Sequence, residues 1–156
     1  MEYFYSFLKR LFFLLIIYSF SRLFFYLFNI DYFQTHIIWT FFEGIRFDLS
    51  SILYINIPVI VLLLFPTNQR INTTYKRLVN GIFYIMNIPF IILNNIDIEY
   101  FKFSQKRSTY DFFEYLSLGK GNDAINLIPQ YISDYWYITL IIIIQIYFLL
   151  NINFIP

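Results

Sequence analysis

Four charged side chains stand where this sequence has little room for them: Arg22 inside one apolar run, and Glu43, Arg46 and Asp48 at the opening of the next. A charge surrounded by hydrocarbon is costly, so such residues pair or face protein or water. Counted at 1.5 Å per residue from outer ends near Ile30 and Ile37, Arg22 falls roughly 12 Å deep, Glu43 roughly 9 Å and Asp48 roughly 16 Å. Glu43 and Arg46 are three apart and share a helix face, whereas Asp48 points nearly opposite to Arg46. The expectation is a neutral cluster in which Arg22 of the first span answers Glu43 or Asp48 of the second. Three roles suit it: an ion pair that locks helices, a site that handles a lipid or other substrate, or an interfacial helix start near Phe47.

A second charged stretch runs from Asn94 to Asp111 and holds Asp97, Glu99, Lys102, Lys106, Arg107 and Asp111. Lys106 and Arg107 have the chemistry to hold an anionic lipid phosphate. They equally suit snorkelling anchors balanced by neighbouring carboxylates. His36 is the only histidine. No set of metal-ligand partners is assembled around it, so it reads as a loop residue. The chain has no cysteine, which removes disulfides, thiolate metal sites and cysteine nucleophiles. A Gly-rich phosphate loop, a nucleophile elbow and an HExxH motif are all absent. The residues of this chain therefore present no catalytic group, no cofactor site and no metal site.

The setting of these charges is mostly oil. Of 156 residues, 59% are hydrophobic and 24% aromatic, while only 13% are charged, about half the share of a soluble domain. One water-soluble core of this length cannot bury so much apolar surface, so the bilayer is the expected solvent. A net charge of +1 gives no reason to expect a nucleic-acid partner.

The expected fold is all-α and integral to the membrane, with about four transmembrane helices at about 11–30, 37–65, 78–96 and 136–152. Either the second helix starts near Phe47, or it starts near Ile37 and carries three charges. Pro58 removes the donor for the carbonyl of Tyr54 and predicts a kink, and Pro89 predicts another in the third span. The triplets Asn56-Ile57-Pro58 and Asn87-Ile88-Pro89 resemble a repeat. In a chain this rich in Ile and Asn, coincidence is the better reading. Residues 97–135 form a long polar excursion with one or two amphipathic helices lying in the interface, one opened by Ser108-Thr109-Tyr110-Asp111 and one from near Asn122. Lys9, Arg10, Arg70, Lys76 and Arg77 fall on one side with few acids, which predicts a cytoplasmic N-terminus and an extracytoplasmic 97–135.

Two motifs carry a family resemblance. Glu43-Gly44-Ile45-Arg46-Phe47-Asp48-Leu49-Ser50-Ser51-Ile52-Leu53-Tyr54 opens the second span, and Asn95-Ile96-Asp97 through Asp111 closes the third, about fifty residues further on. Together they resemble the N-terminal membrane domain of lipoteichoic-acid-synthase-like proteins of the sulfatase and alkaline-phosphatase superfamily. That resemblance implies five membrane helices and then an extracytoplasmic domain with a threonine nucleophile and a divalent metal, manganese or similar, which moves phosphoglycerol or a related phospho-group from a lipid. It also implies the bacterial cytoplasmic membrane, with membrane lipids and that catalytic domain as partners. The fifth helix, the nucleophile motif and the metal ligands have no counterpart here, so no catalytic residue carries over. The expectation is a membrane anchor, read from a longer gene, for a phosphoglycerol-transferase-like or sulfatase-like enzyme. The alternative is a complete small multi-span protein of transport or assembly type, or a purely structural subunit, with Arg22, Glu43, Arg46 and Asp48 as its buried charge cluster.

Overall fold

The computed structural model describes residues 2–33, 37–64, 73–107 and 129–151, and its regular structure is entirely helical. Helix α1 spans Glu2–Phe28. It starts well before the expected Leu11, because no Pro or Gly interrupts the chain there and because Arg10 is not a flanking charge. The Arg10 guanidinium is buried, donates to Asn80 Oδ1 at 2.6 Å and lies over the Phe83 ring at 5.0 Å. Leu14, Ile17, Tyr18 and Ser21 continue that buried stripe at helical spacing. Beyond Phe28, a single 3-10 turn at Ile30–Tyr32 reverses the chain.

Helix α2 covers Ile37–Ile55 and α3 covers Ile57–Leu64. The second apolar run thus starts at its earlier candidate position and carries Glu43, Arg46 and Asp48 inside the helix. Its axis bends by 61° between α2 and α3. The break falls at Asn56, where the ring of Pro58 cannot continue the hydrogen-bond ladder to Tyr54.

Helix α4, Thr73–Ser104, is the central element and runs on through Pro89. It packs against α1, α3 and a last helix, α5, at Trp136–Asn151. Its buried face reads Val79, Phe83, Asn87, Ile91, Asn95 and Ile98. The expected polar excursion from Asp97 is corrected: α4 continues to Ser104 with Asp97 and Glu99 buried. Their charges are matched locally, Asp97 by Arg107 at 3.0 Å and Glu99 by Lys102 at 2.6 Å. The helix ends where Gln105 takes the left-handed conformation, φ 55°, with its N–H on the Phe101 carbonyl. Residues 129–134 are helical and lead into α5. The remainder of the expected interfacial helices, Asp111 included, lies outside the described residues.

Among the described residues, α1 and α4 are long and apolar enough to cross a membrane, and the bent α2–α3 pair makes a third crossing if it is one span. Helix α5 is apolar but has 16 residues, about 24 Å at 1.5 Å per residue.

Candidate functional site

Two polar systems occupy the interior. The first consists of neutral amides along α4. Asn56 and Asn87 exchange hydrogen bonds reciprocally, at 3.0 and 2.8 Å, so the two Asn-Ile-Pro triplets meet face to face. Asn95 donates to Gln145 Oε1 at 2.8 Å, and Gln145 Nε2 donates to Ser21 Oγ at 3.2 Å, which joins α4, α5 and α1. Asn29 donates to the Ile98 carbonyl at 2.9 Å. Asn29, Asn56, Asn87 and Asn95 follow one rule. Each sends one amide hydrogen back to the carbonyl four residues earlier in its own chain and the other across to a neighbouring element. The local bond sets the rotamer, and the second bond ties helices in a medium that offers no water as competitor.

The second system is charged and sits where α1 ends, α2 begins and α4 finishes. A cavity of about 340 Å³ is lined there by Arg22, Phe25 and Tyr26 of α1, Phe33 of the reversal, Phe41, Glu43, Gly44, Phe47 and Asp48 of α2, and Arg107. The Arg22 guanidinium forms an ion pair with Asp48. It also donates to the Phe41 carbonyl at 3.1 Å and the Gly44 carbonyl at 2.5 Å. Gly44 permits this approach, since a Cβ there would overlap the guanidinium. Arg107 folds back from the end of α4: its Nε meets Asp97, its Nη2 donates to Asn94 Oδ1 at 2.9 Å, and its guanidinium stands 5.5 Å over the Phe25 ring.

Glu43 lines the cavity but makes no ion pair or hydrogen bond among the described residues. The candidate Glu43–Arg46 contact does not form, and Arg46 is exposed. Lys106 is exposed as well and takes part through its backbone, whose N–H and carbonyl both meet the Ser104 hydroxyl. The structure thus gathers Arg22, Glu43, Asp48 and Arg107 at one cavity, holds Asp97 behind Arg107, and leaves Arg46 and Lys106 outside it. Gly44 and the aromatic wall were not singled out from the sequence. An isolated glycine between Glu43 and Arg46, in a chain with four glycines, was the available signal for a close approach.

A smaller cluster joins the C-terminal part of α4 to the start of α5. Glu99 accepts from the Tyr137 hydroxyl and from Lys102, each at 2.6 Å. Burial, with Glu99 nearby, pushes the Tyr131 hydroxyl up to about 12, so it stays protonated at neutral pH. Among the described residues no three His, Asp or Glu side chains are placed to hold a metal ion. The divalent metal that the resemblance implies belongs to its extracytoplasmic domain and asks no ligand of these residues. No family model, curated protein or solved structure matches the chain.

Proposed function

We propose that this chain is the four-span membrane domain of a phosphoglycerol-transferase-like or sulfatase-like enzyme, and that its cavity holds the phospho-headgroup of a lipid at the outer face of the membrane. One observation carries the reading. The two stretches on which the family resemblance rests close on the same cavity, Glu43, Gly44, Phe47 and Asp48 from the first and Arg107 from the second. Paired guanidiniums over an aromatic wall at a helix end suit a phosphate at headgroup depth. Sequencing the transcript beyond the codon for Pro156 tests the anchor. A further apolar span and a threonine-and-metal domain are expected, and a stop codon with no such domain nearby sinks it. Photoreactive phospholipid tests the cavity, with labelling expected on the peptides carrying Phe25 and Phe47.

A second reading, a small transport protein, draws on the broken α2–α3 helix with Asn56 at the discontinuity. Broken helices near the midplane are where transporters bind substrates. It requires the Asn56–Asn87 pair to open, so a disulfide-locked α3–α4 pair would abolish uptake if that reading held.

A further inference from the structure

We infer that the outward face of α2 pairs with the same face of a second copy of this chain, Glu43 of each copy meeting Arg46 of the other. The observation is a polar stripe on the outside of an apolar helix bundle. Trp39, Glu43, Arg46, Ser50 and Leu53 recur every three or four residues along α2, so they share one face. All five are exposed. The opposite face carries Asp48 and Ile52, which turn into the bundle: Asp48 pairs with Arg22, and Ile52 is fully buried. The exposed residues of α5 are of another kind. Leu140, Ile143, Ile144, Tyr147 and Phe148 offer side chains that hydrocarbon solvates readily.

Depth makes the α2 stripe costly. The Arg22 guanidinium reaches the Gly44 carbonyl and Asp48, and the Tyr26 and Phe41 rings meet with centroids 6.0 Å apart. These contacts set Glu43 and Arg46 beside residues 22–26 of α1, and Arg22 lies roughly 9 Å from the end of that helix at Phe28. Charges at such depth face protein or water rather than hydrocarbon. Among the described residues of one chain, neither Glu43 nor Arg46 has an ion-pair partner.

The face is its own complement. Copies inserted in one orientation pair about a two-fold axis along the membrane normal, which sets two α2 helices side by side and parallel. Glu43 of one copy then stands about 4.5 Å along the axis from Arg46 of the other. Long side chains bridge such an offset across parallel coiled coils, and the symmetry forms the bridge twice. Ser50, its hydroxyl held on the Arg46 carbonyl at 3.1 Å, is small enough to let the two backbones approach. Glu43 also lines the cavity, so the pairing sets Arg46 of the second copy at the cavity's rim, whatever the cavity holds.

The chain has no cysteine, so a single introduced thiol reports only on its own position. Ser50→Cys is compared with Ile143→Cys, on the exposed face of α5. Each full chain is reconstituted in phosphatidylcholine vesicles and oxidised with copper phenanthroline, and covalent dimer is counted on a non-reducing gel. Ser50→Cys should give about tenfold more dimer than Ile143→Cys, because pairing raises the local thiol concentration. With Ser50→Cys in place, Glu43→Arg alone or Arg46→Glu alone should lower the yield about tenfold, since like charges then meet across the axis. Mixed together, the two reversed chains set two acids against two bases and should crosslink to each other at the original yield. A Ser50→Cys yield no higher than that of Ile143→Cys overturns the inference, and is the result if another part of the same chain covers this face. A loss on Arg46→Glu that Glu43→Arg does not share overturns it too, and gives Arg46 to a lipid phosphate instead. So does a mixture that stays as low as its components.

Discussion

The interior amides and the charged cavity solve the same problem in opposite ways. Along α4, Asn56 with Asn87 and Asn95 with Gln145 and Ser21 pair with each other, donor to acceptor, between helices. What is left over there is one neutral acceptor, Asn95 Oδ1, buried between the helices without a partner among the described residues, so this system serves to hold helices together. At the cavity, Arg22 and Arg107 are anchored by carboxylates and carbonyls, yet Glu43 is exposed and has no partner among the described residues. A site for a ligand differs from a lock in that remainder. A fully paired polar group has nothing to offer a third molecule.

The comparison can be broken most sharply at Arg22. Arg22→Leu leaves Asp48 charged and mostly buried, at 15% side-chain exposure, and should cost about 3 kcal/mol of stability. Unfolding in detergent measures it, and Arg22→Leu with Asp48→Leu should recover most of the loss. A neutral Arg22→Leu would show that the pair does not hold α1 to α2. Next in size is Tyr137→Phe, which removes one of the two partners of the buried Glu99 carboxylate and should cost about 1.5 kcal/mol. Asn87→Leu should cost about 1 kcal/mol, because interhelical amide bonds in membranes are modest. Asn56→Leu added to it should cost little more, since each amide exists for the other; simple additivity in a double-mutant cycle would refute the coupling. The smallest effect is expected at Glu43. Glu43→Gln should shift the unfolding of the single chain in detergent by no more than about 0.5 kcal/mol. A large loss of stability there would move Glu43 from the ligand site to the lock.

Part of this was legible in the residues. Charge placed within apolar runs marked Arg22, Glu43 and Asp48, and Pro58 marked the break that the chain makes at Asn56. The Asn-Ile-Pro repeat was visible but uninformative, because a composition rich in Asn and Ile makes such matches cheap. Arg10 looked like a helix flank, since nothing local to it reveals Asn80 and Phe83 seventy positions on. The reach of α4 past Asp97 was hidden for the same reason. Two buried carboxylates argue against a helix until Arg107, Lys102 and Tyr137 are seen to match them.

Helicity and the apolar character of the long segments are set by composition, with only four Gly and five Pro in the chain, and these influences act within a few residues along it. Which polar groups find each other depends on how far each helix is rotated and slid against its neighbours. That choice is made by packing across α1, α2, α4 and α5, so only the assembled bundle turns Asn56 and Asn87 into a pair and brings Glu43 to the same cavity as Arg22, Asp48 and Arg107.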